Sequence, residues 1–321
     1  MSAPHRIDVH QHVTPDRYRA ALEGIGIKGG GERLFPESSP ATLIAAMDRT
    51  GLAAAVVSVA SPGTYFGDIG FTRRLVRAVN EDLAGVVAAH PRRFAAVGLV
   101  SLPDVDAALR DLETALDTLK LDGILLLTHT GDRYLGHPHD APFYAELDRR
   151  KAVVVVHPKR PAATGWAQFT FPDGYSELAF ETYRAIANLY WNGMFARFPD
   201  IRWLMPHAGG VTPFLVFRMS GMDDIAAVHE RSPDGVDATL RRLHYDIAQA
   251  THPAPLRALM EIADPARIMF GTDFPFARNA GVIEQSIAAV DAFTGFDAAL
   301  RRKVERDNAL ALFPRLAFPS P

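Results

Sequence analysis

Near the start of the chain, Arg6-Ile7-Asp8-Val9-His10-Gln11-His12 places two histidines one residue apart at the end of a short apolar run. In an extended backbone, residues i and i+2 point to the same side. His10 and His12 can therefore aim two imidazoles at one point. Neutral imidazole nitrogens are common ligands for zinc, manganese or iron. The same spacing recurs at His137-Pro138-His139, but among Gly and Pro, which reads as a loop. Three more residues follow apolar runs: His157 after 153–156, His207 after 201–205, and Asp273 after 268–270. Imidazoles with a carboxylate make a mixed nitrogen and oxygen site, which suits Zn2+ or Mn2+ better than Ca2+ or Mg2+. Taken singly, each has a plainer reading. His157 could be a core histidine bonded to a carbonyl, and Asp273 an Asx turn. The joint pattern carries the weight.

These residues need a frame to bring them together. Strands are expected at 7–12, 53–60, 94–99, 123–127, 153–156, 201–205, 243–247 and 268–270, most of them continuous apolar runs. Helical patterns lie between and after them. Ser39-Pro40 opens one, as N-cap and first helical residue, and Gly51 stops it. Others fall at 71–89, 142–150, 175–197, from about 211, 253–262, 282–292 and 297–312. At 104–120, Val105, Leu109, Leu112, Leu116 and Leu119 share one helical face. Strand and helix alternate eight times, which points to a single (β/α)8 TIM barrel spanning 1–321. The seventh strand is the weakest pattern. A long glycine-rich connection at about 13–39 is expected to be a lid or binding loop. Chemistry in a TIM barrel sits at the C-terminal strand ends. That rule collects His10, His12, His157, His207 and Asp273 at one rim.

Composition narrows the classes. The chain has 321 residues, 48% hydrophobic, with a formal net charge of -3, which gives no footprint for nucleic acid or an anionic membrane. Cysteine is absent, so disulfides and thiolate metal sites are excluded. No apolar run reaches membrane-spanning length and no signal peptide is evident, so a cytoplasmic protein is expected.

Ile-Asp-Val-His-Gln-His, Val-Val-Val-His-Pro, His-Ala-Gly-Gly and Phe-Gly-Thr-Asp-Phe-Pro-Phe occur in this order along the chain. Together they resemble the amidohydrolase superfamily, in the branch containing aminocarboxymuconate-semialdehyde decarboxylase and related aromatic-acid decarboxylases. Met47-Asp48-Arg49-Thr50-Gly51 and Ser61-Pro62-Gly63 fit the same branch. The resemblance implies His10, His12, His157 and Asp273 as metal ligands and His207 as a catalytic residue beside the metal. Two departures matter. Binuclear relatives hold a second metal with a carboxylated lysine after strand four, where this chain has Leu127-Thr128-His129, so one metal is expected, Zn2+ or else Mn2+. Leu43, Ile44, Ala45 and Ala46 stand where the semialdehyde decarboxylases carry a substrate-binding arginine. The closer likeness is to the 6-methylsalicylate decarboxylase type.

The implied reaction is non-oxidative decarboxylation of a small aromatic acid such as a salicylate, with no organic cofactor. His207 and Asp273 are both candidates to deliver the proton. Hydrolysis of a lactone or amide, or hydration of an alkene, is the alternative on this scaffold, and a non-catalytic metal-binding barrel is a third reading. Lys159 and Arg160 could anchor a carboxylate or could be a solvated loop pair. His129 could line the site or be solvated. Phe66, Trp166, Phe169, Phe274 and Phe276 could form a slot for the ring. A homodimer or homotetramer is implied by the resemblance.

Overall fold

The computed structural model describes residues 5–30, 33–161, 170–276 and 281–317. Eight parallel strands form one sheet in sequence order. They are β1 (Arg6–His12), β2 (Leu52–Ser58), β3 (Phe94–Gly98), β4 (Gly123–Leu127), β5 (Val153–His157), β6 (Arg202–Met205), β7 (His244–Asp246) and β8 (Ile268–Met269). Strands this apolar are stable only when both faces are covered, and the barrel interior and the outer helices cover them. The sheet closes on itself. Val9 N donates to Phe270 O at 3.0 Å, Asp273 N to His10 O at 2.8 Å, and His12 N to Phe274 O at 2.9 Å. The architecture is the expected TIM barrel.

The helices start and stop for local reasons. Ser39 Oγ accepts from Thr42 N at 3.2 Å at the head of helix Pro40–Thr50, and Gly51 ends it at φ 74°. Asp68 caps helix Ile69–Ala89 by accepting from Phe71 N at 3.0 Å. Three expectations need correction. The connection at 13–39 is not a plain loop: it holds helix Asp16–Glu23 and a small hairpin, Gly29–Gly30 with Arg33–Leu34. Only Tyr18 and Leu22 of that helix are buried, too few to give a periodic signal, and the Tyr18 hydroxyl donates to Gly63 O at 2.8 Å. The periodic run at 104–120 is α-helical over Val105–Glu113 and then widens into a π-turn over Thr114–Thr118. The region 175–197 is parted at Gly193, φ 68°, into Glu177–Trp191 and Met194–Arg197. Among the described residues, no helix is long and apolar enough to cross a membrane.

Candidate active site

Four side chains converge at the C-terminal rim. His10, His12, His157 and Asp273 each offer a ligand atom, all within 4.8 Å of one another, and all four residues are buried. β1 places the first two. The turn after β8, beside β1, places Asp273, and β5, which pairs with β4 and β6, places His157 from across the barrel. His10 Nε2 lies 3.1 Å from His12 Nε2, and His12 Nε2 lies 2.9 Å from Asp273 Oδ1.

The opposite ring nitrogens decide the tautomers. His157 Nδ1 is 2.7 Å from Pro158 O, which can only accept, so Nδ1 carries the proton. That leaves Nε2 with a lone pair, buried and with no protein partner. His10 Nδ1 is 2.9 Å from the Asp246 carboxylate, which fixes the same tautomer. His12 Nδ1 meets Ser58 Oγ at 2.9 Å. Three imidazole nitrogens and one carboxylate oxygen thus face one point; Pro158 O and Asp246 leave Nε2 of His157 and His10 as the acceptor nitrogens, and the Ser58 hydroxyl, which both donates and accepts, lets His12 do the same. Such a donor set fits a divalent cation and is poorly satisfied by protein alone.

Electrostatics agree. Burial, reinforced by the neighbouring imidazoles, pushes His157 well below the ordinary imidazole range. Burial also lowers His12, so both rings are neutral at neutral pH. Burial opposes ionisation of Asp273, but contacts from His12 and His207 outweigh it and hold the carboxyl well below the usual range. His10 is the exception: burial opposes its charge, yet Asp246 outweighs that and raises it to about 9. A cation at His10 Nε2 competes with a proton there.

His207 stands beside this cluster, with Nε2 3.6 Å from Asp273 Oδ2 and its ring centroid 5.0 Å from that of His10. Its Nε2 is also buried and makes no hydrogen bond. The backbone under it is unusual. His207, Ala208, Gly209 and Gly210 all have positive φ, between 54° and 75°. The run turns the chain sharply out of β6 and presents the imidazole to a cavity of about 350 Å³. His157, Asp273, Gln249, Arg160, Phe276 and Tyr175 are among its lining residues. Gln249, at φ 53°, donates its amide to Asp273 Oδ2.

Two buried acids escaped the sequence reading. Asp246, at the end of β7, bonds His10 Nδ1 and accepts from His207 N at 3.0 Å, so it orients two of the site histidines. It sits at a strand's C-terminal end, as His157 does, and that position was the available signal. Asp8 is fully buried and accepts from His10 N at 3.0 Å, Thr272 N at 3.1 Å and Gln11 Nε2 at 2.8 Å. Burial raises its carboxyl to about 6.

The candidate substrate contacts divide. Phe276 and Arg160 line the cavity, and the Phe276 ring lies 5.4 Å from that of His12. Phe274 is buried in the core, and its carbonyl is spent on β1. Phe66 packs on Phe71, centroids 6.3 Å apart. Trp166 and Phe169 lie outside the described residues. Lys159 is half-buried and lines a small cavity with Leu127 and Tyr65, and burial lowers its ammonium. His129 is neither solvated nor among the residues lining this cavity; it is buried against main-chain carbonyls. His137 and His139 sit in a short 3-10 turn, with ring centroids 6.4 Å apart.

The amidohydrolase family profile matches residues 7–315. A 6-methylsalicylic acid decarboxylase of Penicillium expansum is 32% identical over 325 residues, covering 97% of each chain. The crystal structure of 5-carboxyvanillate decarboxylase from Sphingomonas paucimobilis superposes with a TM-score of 0.85 at 22% identity, over 97% of this chain and 99% of that one. The Novosphingobium aromaticivorans 5-carboxyvanillate decarboxylase, complexed with manganese and 4-hydroxy-3-methoxy-5-nitrobenzoic acid, gives a TM-score of 0.80 at 21% identity, over 97% and 96%.

Proposed function

The chain belongs to the amidohydrolase family, and from that premise we propose a metal-dependent carboxy-lyase acting on a small aromatic acid with a hydroxyl beside its carboxylate. The observation that carries the reading is the group of four buried donors, within 4.8 Å of one another, two of which, His157 and Asp273, line the cavity. His10, His12, His157 and Asp273 would hold one divalent ion, with Zn2+ favoured and Mn2+ accepted by the same donors. When bound, the ion supplies Lewis acidity toward the carboxylate and phenol oxygens of the substrate.

The chain's own groups do the rest. Phe276 offers an aromatic face for the ring, and Arg160 offers a cation at the cavity wall for the carboxylate oxygen turned away from the ion. His207, whose Nε2 makes no hydrogen bond, would hold the proton that is delivered to the ring carbon bearing the carboxylate. Delivery of that proton to carbon, then loss of CO2, restores the aromatic ring. Asp273, held ionised, is the weaker proton donor and the better ligand. No organic cofactor is required. A cytoplasmic homodimer or homotetramer belongs to the same proposal.

The test is an assay in heavy water with metal-reconstituted protein and a panel of hydroxybenzoates. The expected product is a phenol deuterated at the former carboxyl carbon, with stoichiometric CO2. Turnover of lactones or amides, with no CO2 from any hydroxybenzoate, would assign a hydrolase instead.

A further inference from the structure

We propose that His129 is a positioning residue for the substrate carboxylate, acting through Arg160. It does not line the main cavity. Its Nε2 lies 2.7 Å from Arg160 O, and because a carbonyl only accepts, that nitrogen donates. The bond ties the residues just after β4 to the segment leaving β5, two residues beyond Pro158. Arg160 lines the cavity, so the main chain from which its guanidinium projects is held by His129.

The imidazole is enclosed on its other sides. Its Nδ1 lies 3.2 Å from Gly131 O, and Glu181, fully buried on helix Glu177–Trp191, stands with Oε2 3.5 Å from His129 Nε2, near it without a hydrogen bond. Its Oε1 accepts from the Tyr134 hydroxyl at 2.7 Å and from Arg184 Nη1 at 2.5 Å. The Tyr134 ring packs on His129, with centroids 5.3 Å apart. Leu178 and Ala179 of the same helix form part of the cavity wall. A buried polar network of this kind, reaching three segments around one cavity, fixes their relative places more sharply than apolar packing would. A histidine here serves better than a solvated residue because it can donate to a main-chain carbonyl while shielded from water.

The inference rests on the proposed reading of the cavity as an aromatic-acid site. Its test compares His129→Ala, His129→Gln, Arg160→Ala and the double variant His129→Ala/Arg160→Ala in the full chain with metal bound. KM and kcat for CO2 release are measured, together with the calorimetric Kd for salicylate and the metal content. Loss of the carbonyl bond should raise KM and Kd roughly tenfold, with kcat and metal content close to those of the unaltered protein. The Gln variant, whose amide can still donate to Arg160 O, should recover most of the affinity. It also keeps the comparison open if the Ala variant does not fold. Once Arg160 is removed, His129→Ala should add nothing. Equal losses in both Arg160 backgrounds, a fall in kcat with loss of metal, or unchanged KM and Kd in His129→Ala or Arg160→Ala would each overturn the proposal. Salicylate binding that follows this pattern without CO2 release would retain the positioning role and remove the decarboxylase reading.

Discussion

His157 and His207 look alike in sequence, each a histidine after an apolar strand, but their surroundings ask different things of them. His157 spends Nδ1 on Pro158 O and turns Nε2 to the donor cluster. Its replacement by Ala should strip the metal while far-UV circular dichroism still reports an intact barrel, because the residue sits at the functional rim. His207 spends its main-chain N–H on Asp246, lines the cavity, and turns Nε2 toward Asp273 at 3.6 Å. His207→Ala should keep the metal yet lose about 100- to 10,000-fold in kcat. Elemental analysis beside kinetics separates the two. Metal lost in parallel from both variants would make His207 a ligand. The sequence made all five rim residues legible, since each ends or follows an apolar run. It hid Asp246, because β7 is short and its pattern weak. It left open where Phe274 and His129 face: type and proximity to a strand end do not say which way a side chain points.

At the scale of the element, the turn after β6 is the most constrained piece of backbone in the site. Gly210 has φ 63° and ψ -125°, a region closed to residues with a side chain. A Cβ there would fall 2.2 Å from Ala179 O. Gly210→Ala should therefore destabilise by roughly 3 kcal/mol and lower activity by shifting His207, with thermal melting and kcat measured on the same sample. An unchanged melting temperature would mean that the turn relaxes freely. The helix at 175–197 was legible in the sequence, but not that the turn after His207 would press its backbone against Ala179. The same limit applies to the connection at 13–39. Its glycines were evident, while helix Asp16–Glu23, built on Tyr18 and Leu22 alone, left no periodic trace. Strands were read well for the opposite reason: burial on both faces writes a continuous apolar run.

For the whole molecule, the two ends of the barrel carry different burdens. His244 opens β7 at the end away from the site, between Trp203 O and Arg267. Burial, aided by Arg267, lowers it to about 4 from an ordinary 6.5. The folded protein therefore binds fewer protons than the unfolded chain between these values. The corresponding stability is full above about 6.5 and is lost as pH falls toward 4, up to about 3 kcal/mol. Urea midpoints should drop from pH 7 to pH 4.5, and His244→Gln should flatten that drop. Equal slopes in both proteins would acquit this residue. Because the change lies at the end opposite the rim, metal content at pH 7 should not alter.

The seam between β1 and β8 also sets a timetable. His12 and Asp273, 2.9 Å apart in space, are 261 residues apart along the chain. At the usual pace of translation, on the order of ten to fifty seconds separate the synthesis of one from the synthesis of the other. During that interval His10 and His12 emerge without their carboxylate partner, and His157 and His207 arrive between. No partial product of the ribosome can assemble the full set of donors. Any ion bound by all four donors is thus bound late, after the last strand has closed the ring.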